Sequence, residues 1–546
     1  MWELREVPAG LRERYRADGY WTDDTFASFL DREISAAPDL TFRVWSKTHP
    51  FVGTTGGLYE QSARLAASLA RMGVGVGDVV AYQVPNWAES VTVIAAGFRL
   101  GAVMVPIVHF YGAREVEFIL RESGARALVT VDRFGHVDHL ANLAGYRNRL
   151  DGLEHVVVIE SGTPGPDLPG AVAFTDLLDT APFTGRPDIA PDAPAMIGYT
   201  SGTTADPKGV VHTHRSLIFE IPQLAALAPD ARPILNASPL AHMTGMLASL
   251  LLPVFRHQAI HLTDQWDPQE ALRIIVEADV SAGAGATIFL SSLLDAPGFG
   301  PEHAARIGNV GLGGAPVPAA VAERAEALGI TVFRSYGSTA HPSITGSRTD
   351  EPREKRNRTD GRPMLGVEIR LVDVDLDGDV DGAADVGPGV PGEILSRGPD
   401  LFAGYTNPAL TARSITPDGW YRTGDVGVLD DDGYLTITDR VSDIIIRGGA
   451  NISAAEIEEA LMTMPGVTEC AVVAAPDARM GEHALAAIRL RPDAPAPDLT
   501  AVQAHLASTG LPKQKWVEEV RILEEFPRTP SGKIRKFVLR DDLRNP

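Results

Sequence analysis

Residues 199–210 read YTSGTTADPKGV and gather hydroxyl groups, glycines and one lysine into a single short stretch. Gly202 and Gly209 carry no Cβ, so the backbone N–H groups beside them can approach an anion closely. Lys208 adds a positive charge. Further hydroxyl donors come from Thr200, Ser201, Thr203 and Thr204. A loop rich in Ser, Thr and Gly is usually a solvated turn, but the order of residues here predicts a cradle for a polyphosphate.

The stretch is not the phosphate loop of the pattern Gly-x-x-x-x-Gly-Lys-Ser/Thr. Gly209 follows Lys208 where that pattern has a hydroxyl residue for magnesium. The stretch instead resembles the signature loop of the adenylate-forming superfamily, which includes acyl-CoA synthetases, luciferases and the adenylation domains of peptide synthetases. Further motifs of this family follow in the expected order and extend the resemblance over nearly the whole chain.

The composition limits the fold and the partners. The 546 residues are 44% apolar and carry a net charge of −22. This length is too great for one hydrophobic core, so we expect at least two domains. The negative charge repels nucleic acids, so we predict no nucleic-acid partner. The lone Cys470 excludes an intramolecular disulfide and fits a reducing cytoplasm, and its apolar neighbours predict a buried strand in which the thiol is structural.

Export and membrane insertion are not expected from the sequence. Charged residues near the N-terminus interrupt the apolar segment that a secretory signal needs. Residues 91–110 form the longest apolar stretch, but they contain Arg99 and Pro106, which favours a buried helix followed by a strand. We therefore expect a cytoplasmic protein with no integral membrane association.

Helical and strand patterns alternate in the first part of the chain, which predicts an α/β fold with parallel sheets covered by helices on both faces. The predicted helices are residues 59–72 and about 89–100, and the predicted strands are residues 78–84, 103–108, 128–131 and 156–159. Near the C-terminus the patterns predict a small α+β domain. Its predicted elements are a helix at residues 453–464 and strands at residues 471–475, 484–490 and 520–523.

Residues 373–391 are rich in Asp, Gly and Pro, and their first residues match the start of an EF-hand calcium loop. The twelfth position is Ala384, where a bidentate Glu is needed, and no flanking helices are indicated. A solvated hairpin between strands at residues 367–372 and 393–395 is therefore favoured. His212 and His214 are likewise not expected to bind zinc, because no further ligand is nearby, and they are predicted to flank the start of a helix.

The family resemblance assigns roles in the first part of the chain. Residues 236–245 read NASPLAHMTG and resemble the segment whose His, here His242, lies between the acyl pocket and the CoA channel. Small residues at one turn would lie against adenine, and they are Gly313, Gly314 and Ala315. A second segment would place an aromatic ring near adenine and a hydroxyl on the phosphate, and it consists of Tyr336, Gly337, Ser338 and Thr339.

The next residue departs from the family pattern. The family has a magnesium-coordinating Glu here, whereas this chain has Ala340, and a methyl group cannot bind a cation. Thr200 then remains as a residue that could contact the metal. Three explanations stay open: an engineered substitution, a natural relative without catalysis, and an active enzyme that holds Mg²⁺ through phosphates and water alone.

The later motifs imply further roles. Residues 420–425 resemble the motif in which Asp425 would accept both ribose hydroxyls, and Arg440 would lie near the ribose. Ser442 takes the pivot position of the hinge. The backbone lining the CoA tunnel corresponds to Arg447, Gly448 and Gly449. Residues 527–533 resemble the mobile loop whose Lys, here Lys533, contacts the carboxylate and the α-phosphate.

Together these motifs imply an ATP-dependent carboxylate–CoA ligase that forms acyl-AMP and then acyl-CoA. The implied fold is a large α/β domain at residues 1–439 with parallel-rich sheets and a β-barrel-like subdomain. Residues 440–442 would be the hinge, and residues 443–546 a small mobile α+β lid. The implied small molecules are ATP, Mg²⁺, CoA and a carboxylic acid, with resemblance to bacterial ligases for alicyclic, aromatic or medium-chain acids.

Several points stay open. A homodimer is allowed by the resemblance, and the acid cannot be identified from the sequence. A basic cluster near the C-terminus could dock the phosphates of CoA, and it comprises Lys513, Lys515, Arg521, Arg528, Arg535 and Lys536. A pseudoenzyme that binds nucleotide or acyl-AMP with little turnover is the alternative, and Ala340 is its support.

Overall fold

The alternation of helical and strand patterns leads to a mixed α/β structure in the computed structural model. The model describes residues 2–162, 168–200, 206–282, 285–315, 317–373, 383–448, 450–477, 479–528 and 533–544. Contacts between Cα atoms divide these residues into two compact units. The first unit contains residues 2–200, 206–369 and 396–421, and the second contains residues 370–395 and 422–544, with the gaps just given.

The helices alternate with strands through most of the first unit. In the described residues the α-helices α1 to α18 are Ala9–Ala17, Phe26–Ala36, Thr55–Arg71, Ala88–Leu100, Ala113–Ser123, His139–Tyr146, His214–Leu227, Met243–Met246, Leu252–Phe255, Pro268–Glu277, Thr287–Asp295, Pro301–Ile307, Ala319–Ala327, Arg353–Arg358, Pro408–Ser414, Ala454–Met462, Leu499–Ser508 and Lys536–Arg544. A π-helical segment, Leu247–Leu251, joins α8 to α9. The 3₁₀ turns are Arg147–Arg149, Thr175–Leu178, Val441–Asp443 and Lys513–Lys515.

The strands are short and fall into several sheets. In chain order, β1 to β28 are Thr41–Trp45, Phe51–Thr54, Val79–Gln83, Val103–Pro106, Ala127–Val131, Arg133–Phe134, Val137–Asp138, His155–Ile159, Ala171–Ala173, Pro194–Thr200, Lys208–Thr213, Ile234–Asn236, Ile260–Thr263, Ser281–Ala282, Asn309–Gly313, Thr331–Tyr336, Thr345–Gly346, Arg362–Pro363, Glu368–Val372, Gly392–Arg397, Gly404–Tyr405, Tyr421–Leu429, Leu435–Arg440, Ile445–Arg447, Ala450–Ile452, Val467–Asp477, Gly481–Leu490 and Glu519–Ile522.

The largest sheet of the first unit has the strand order β21-β11-β10-β4-β3-β5-β8-β9. The strands from β10 to β9 pair in parallel, whereas β11 pairs antiparallel with both of its neighbours. Every residue of β3 and β5 is buried, as continuous apolar runs predict for strands covered on both faces. The prediction of a parallel-rich sheet covered by helices is confirmed.

Two further sheets complete the described part of the first unit, apart from the short hairpin of β6 and β7. One has the order β14-β12-β13-β1-β2, and the other has the order β15-β16-β17-β18. In the second of these, β15 and β16 run in parallel, so both strands end at the same edge of the sheet.

The predicted helices are present with shifted boundaries. The helix predicted at residues 59–72 is α3, and it begins earlier because the side chain of Thr54 accepts a hydrogen bond from the N–H of Gly57. The helix predicted at about residues 89–100 is α4, which ends at Gly101 with φ of 70°. Glycine adopts this left-handed conformation without the steric cost that a Cβ would bring.

The second unit contains two sheets. One has the order β19-β20-β22-β23, in which the strands predicted at residues 367–372 and 393–395 are the neighbours β19 and β20. Residues 374–382 of the hairpin predicted between them lie outside the described residues. In the other sheet β27 pairs with β24, β26 and β28. The predicted C-terminal helix is α16, where the side chain of Ser453 accepts a hydrogen bond from the N–H of Glu456. Cys470 lies in β26 as predicted but is half-buried, and burial raises the pKa of its thiol to about 12.

In the part of the chain that the structure describes, no helix is both long enough and apolar enough to cross a membrane.

Candidate active site

A hairpin of the first unit flanks the predicted polyphosphate loop. Strands β10 and β11 are antiparallel, and Thr200 faces Lys208 in their register. The predicted contacts Ser201, Gly202, Thr203 and Thr204 lie outside the described residues. The hydroxyl of Tyr199 donates a hydrogen bond to Glu122, which anchors the strand just before the loop. The described hairpin therefore fixes where the loop begins and ends.

A tight turn follows β16 and contains the next predicted residues. Tyr336 ends β16 and is nearly buried. The N–H of Ser338 donates to the carbonyl of His341 over 2.9 Å, and the N–H of His341 donates to Oγ of Ser338 over 3.3 Å. A Cβ on Gly337 would lie 1.9 Å from the carbonyl oxygen of Pro342, so the turn closes this tightly only with glycine at that position.

Thr339 of this turn packs against the hairpin that carries the polyphosphate loop. A Cβ on Gly198 would lie 2.9 Å from Cγ2 of Thr339, so the absence of a side chain there allows the close approach. Nε2 of His212 lies 2.7 Å from the carbonyl oxygen of Thr339. Burial lowers the pKa of His212 to about 4, so the neutral ring donates through Nε2 and fixes the backbone of Thr339. Thr339 is thereby held beside β10, which leads to Thr200.

Ala340 is buried and its surroundings are apolar. The residue is 3% exposed and belongs to an apolar cluster with Val210, Leu401, Phe402, Tyr405 and Tyr421. Within the described ranges, no group of three or more His, Cys, Asp or Glu residues could hold a metal ion. The described residues therefore do not fit a magnesium site built by the protein, and the single hydroxyl of Thr200 does not provide one.

The predicted adenine-side turn lies at the same sheet edge as Tyr336. Gly313 is opposite Ser335 in the parallel register of β15 and β16, and a Cβ on Gly313 would lie 2.6 Å from the carbonyl oxygen of Ser335. Gly314 has φ of 71°, which glycine adopts readily. Ala315 follows directly. The structure therefore brings Gly313–Ala315 beside the end of β16.

His242 lies at the start of α8 and is exposed. Its segment is linked to β15 through Gly285, a residue that the sequence did not indicate. A Cβ on Gly285 would lie 2.8 Å from Oγ of Ser238, and the N–H of Gly313 donates to the carbonyl of Gly285 over 3.0 Å. The glycine spacing in residues 281–287, SAGAGAT, is the sequence signal that could have indicated this close approach.

In the second unit the structure brings three predicted residues together. Asp425 and Arg440 are cross-strand partners in β22 and β23, and Nε of Arg440 lies 3.2 Å from Oδ1 of Asp425. Desolvation lowers the pKa of Lys533, and the nearby charge of Arg440 lowers it further, whereas the charge of Asp425 opposes both effects. Lys533 therefore lies within electrostatic reach of both residues.

The predicted hinge residue Ser442 lies in the turn Val441–Asp443, which is tied to the last helix. The guanidinium of Arg540 donates to the carbonyl of Ser442 and lies 3.4 Å from a carboxylate oxygen of Asp443. Nζ of Lys536 lies 2.7 Å from Oε1 of Glu458 and 3.7 Å from Asp443. The hinge turn and α18 are therefore joined by a charged network within the second unit.

The predicted CoA-side residues follow this turn. Arg447 pairs with Glu518, which raises the pKa of Arg447. Gly448 has φ of 59°, and its N–H donates to the carbonyl of Met480 over 2.7 Å. Gly449 lies outside the described residues. The assignment of these residues to CoA stays a prediction.

Much of the basic cluster is paired with carboxylates. Within the described residues the ion pairs are Lys515–Glu456, Arg521–Glu519, Arg528–Glu469 and Lys536–Glu458. Side chains that are already paired are less available to the phosphates of a ligand, which weakens the hypothesis that this cluster docks CoA.

Comparison with known proteins identifies the family of this chain. The family model described as AMP-binding enzyme matches residues 31–406, and the model of its C-terminal domain matches residues 456–533. A medium-chain fatty-acid–CoA ligase of Escherichia coli is 31% identical over 97% of this chain and 93% of its own length. A long-chain fatty-acid–CoA ligase of Mycobacterium tuberculosis is 32% identical over 88% of this chain and 90% of its own length.

Solved structures show the same likeness. ATP-bound MatB from Rhodopseudomonas palustris has a TM-score of 0.82 and 26% identity, and the match covers 94% of this chain and 98% of that one. The o-succinylbenzoate CoA synthetase of Bacillus subtilis, in complex with an acyl-adenylate, has a TM-score of 0.80 and 27% identity, covering 95% and 99% of the two chains. The chain thus belongs to the AMP-binding enzymes, within the adenylate-forming acyl-CoA synthetase family.

Proposed function

We propose that this enzyme is an ATP-dependent carboxylate–CoA ligase that works in two half-reactions. A carboxylate oxygen of the acid bonds to the α-phosphorus of ATP, and pyrophosphate leaves as its bond to that phosphorus breaks. The sulfur of CoA then bonds to the acyl carbon, AMP leaves, and the thiol proton is released. The relatives are acid–CoA ligases and the grouping of Asp425, Arg440 and Lys533 is the observation in this chain that carries the proposal.

The residues of the first unit are proposed to hold the nucleotide. Thr200, Lys208 and the loop between them would cradle the phosphates. Gly313–Ala315 and Tyr336 would flank adenine, since β15 and β16 end at one sheet edge. Gly337 and Ser338 shape the turn that presents Thr339 to a phosphate, and the contact of Thr339 with Gly198 supports this role. His242 would lie between the acyl pocket and the CoA channel.

The residues of the second unit are proposed to bind ribose and to assist adenylation. Asp425 offers two carboxylate oxygens to the ribose hydroxyls, and Arg440 holds that carboxylate from the next strand. Lys533 would place a cation on the acid carboxylate and the α-phosphate, where negative charge develops. For the second half-reaction, residues 443–546 would turn about Ser442 and present Arg447, Gly448 and Gly449 to CoA.

The reaction uses ATP, Mg²⁺ and CoA, as in the family. Because position 340 cannot ligate a cation, we propose that Mg²⁺ arrives bound to the phosphates of ATP. The curated relatives favour a ligase over a pseudoenzyme. We propose a fatty acid or another apolar acid as substrate, because these relatives are medium-chain and long-chain fatty-acid ligases. We further propose action in the cytoplasm, with a homodimer as the assembly to be tested.

The first experiment is a pyrophosphate-release assay with a panel of carboxylic acids, with and without CoA. In the Lys533→Ala variant, pyrophosphate release should fall by about 10² to 10³, because a preorganised cation contributes that much to rate. Conversion of added acyl-AMP and CoA into thioester should stay within about threefold of the parent enzyme, since Lys533 acts in adenylation only.

Lys47→Ala removes an exposed lysine of the first unit that pairs with Asp267 and lies outside the proposed site, and it is the control that should leave both half-reactions unchanged. The ligase proposal is wrong if the parent enzyme releases no pyrophosphate with any acid. The role of Lys533 is wrong if its variant loses both half-reactions equally.

A further inference from the structure

A buried polar cluster lies directly behind the turn of residues 338–341. Nδ1 of His341 lies 2.8 Å from Oγ of Ser396, and Nε2 of His341 lies 3.2 Å from Oδ1 of Asp400. The hydroxyl of Ser343 donates to Glu220, whose carboxyl group is hydrogen-bonded to that of Asp400. All five side chains are buried, and those of His341 and Asp400 have no exposed surface. The proposed chemistry does not use any of them.

The contacts place a partner at both ring nitrogens of His341. Nε2 can donate to Asp400 while Nδ1 accepts from Ser396. Oε2 of Glu220 and Oδ2 of Asp400 have no hydrogen-bond donor when both carboxyls are ionised. Burial raises the pKa of Glu220, and the charge of Asp400 raises it further, which favours a proton shared between the two carboxyls. Asp400 is thus the common partner of His341 and Glu220.

The segment that contains Asp400 also holds the backbone of the turn. The N–H of Phe402 donates to the carbonyl of Ala340 over 2.9 Å. Phe402 is itself fixed by Arg5, whose Nε donates to the carbonyl of Phe402 over 2.8 Å. On the other side of the turn His212 holds the carbonyl of Thr339. The turn is therefore held at consecutive carbonyls, and His341 links its last residue to Asp400.

We propose that Asp400 is a positioning residue for ATP: through His341 it fixes the turn of residues 338–341 so that Thr339 faces the phosphates. This inference rests on the proposed placement of the nucleotide at Thr339. The arrangement matters here because position 340 offers no carboxylate to the metal of MgATP. The binding of ATP then depends more strongly on the correct placement of the remaining polar groups of the turn.

The test compares Asp400→Ala with Asp400→Asn by the Michaelis constants for ATP and for the acid. Asp400→Ala removes the acceptor of the His341 Nε2–H and the partner of the Glu220 carboxyl, and a buried group without a partner is costly. The KM for ATP should rise about tenfold, and the KM for the acid should change less than about twofold. In Asp400→Asn the amide oxygen still accepts from His341, so the KM for ATP should return to within about threefold of the parent value.

Asp192→Asn is the matched control. Asp192 pairs with the buried Arg215 over 2.8 Å at the end of the β10–β11 hairpin opposite Thr200. This variant should leave both Michaelis constants unchanged. If Asp400→Ala does not fold, Ser396→Ala replaces it. The KM for ATP should then rise about threefold, because His341 loses the donor to its Nδ1.

The proposal is overturned if the alanine variant changes both Michaelis constants alike, if Asp400→Asn is as impaired as Asp400→Ala, or if Ser396→Ala has no effect on the KM for ATP. These failures differ from failure of the ligase proposal. In that case the parent enzyme itself releases no pyrophosphate with any acid.

Discussion

Position 340 has a methyl group where the family resemblance implies a carboxylate, and the structure shows what surrounds it. Ala340 is enclosed by apolar side chains from β11, from the segment around Phe402 and from β22. Its carbonyl is engaged by Phe402. This environment suits a small apolar residue and would penalise a charge. Of the three explanations, we propose the active enzyme that holds Mg²⁺ through ATP alone.

The Ala340→Glu variant tests this interpretation. We expect the free energy of unfolding to fall on the order of 3 kcal/mol at neutral pH, because the new carboxylate would enter an apolar cluster. Pyrophosphate release should not increase. Ala340→Gln has nearly the same size without the charge and is the matched control, for which we expect the smaller loss of stability. Urea unfolding and pyrophosphate release measure the two properties.

If Ala340→Glu releases pyrophosphate faster than the parent enzyme and keeps its stability, the carboxylate reaches the metal of MgATP. The interpretation of a magnesium site without a carboxylate would then be wrong. An engineered or decayed site would become the better explanation of Ala340.

At the scale of elements, the sequence predicts helices and strands well where their periodicity is strong. Helix α3 has buried residues at helical spacing, and β3 is a continuous apolar run, so each pattern favours one structure. The His-x-His pair shows the limit. His214 begins α7 as predicted, but His212 contacts Thr339, which is 127 residues away in the chain. Neither local pattern nor spacing encodes such a partner.

In the candidate site, too, the sequence predicts residues that lie in a motif and misses contacts that only tertiary packing creates. Motifs identified Asp425, Arg440 and Lys533, and the structure brings these residues together because β22 and β23 place the first two opposite each other. Glu220 and Asp400 were not predicted, because they lie in different elements and in no motif. Their interaction depends on tertiary packing that brings two carboxyls into a buried space, where burial and the charge of Asp400 raise the pKa of Glu220.

Helix α18 connects the hinge turn with the segment that contains Lys533. Arg540 contacts Ser442 and Asp443, and its side chain is 16% exposed. A charged hydrogen bond of this kind typically contributes about 1.5–3 kcal/mol. For Arg540→Ala we expect the overall turnover number to fall by about three- to tenfold, because the hinge turn loses its anchor. Steady-state assays of AMP formation measure this change.

Arg521→Ala is the matched control for this prediction. Arg521 pairs with Glu519 at the surface, with 42% of its side chain exposed, and exposed pairs typically contribute only about 0.2–1 kcal/mol. This control should keep the turnover number within about twofold of the parent value. Equal loss in both variants would show that any change of charge in the second unit slows the enzyme, and the anchoring role of Arg540 would be rejected.

At the scale of the whole molecule, buried histidines determine how stability changes with pH. Burial lowers the pKa to about 4 for each of several histidines in the first unit, and these are His109, His139, His212, His214 and His261. The usual value is 6.5. The folded state therefore keeps these rings neutral at a pH where the unfolded chain takes up protons.

We therefore expect the contribution of these histidines to the free energy of unfolding to be greatest above pH 6.5. The free energy of unfolding should fall as the pH decreases from 6.5 to 4. Each fully buried ring, such as that of His212, should contribute about 3 kcal/mol to this loss, since one pKa unit corresponds to about 1.4 kcal/mol. Urea unfolding at a series of pH values measures the slope.

His212→Gln should make the fall between pH 6.5 and 4 smaller by about that amount, whereas the variant of an exposed histidine, His136→Gln, should leave the slope unchanged. If His212→Gln has the same pH dependence as the parent chain, the ring of His212 is not held neutral in the folded state. A charged ring would still donate from Nε2 to the carbonyl of Thr339, so this outcome would overturn the pH prediction and leave the placement of Thr339 unchanged.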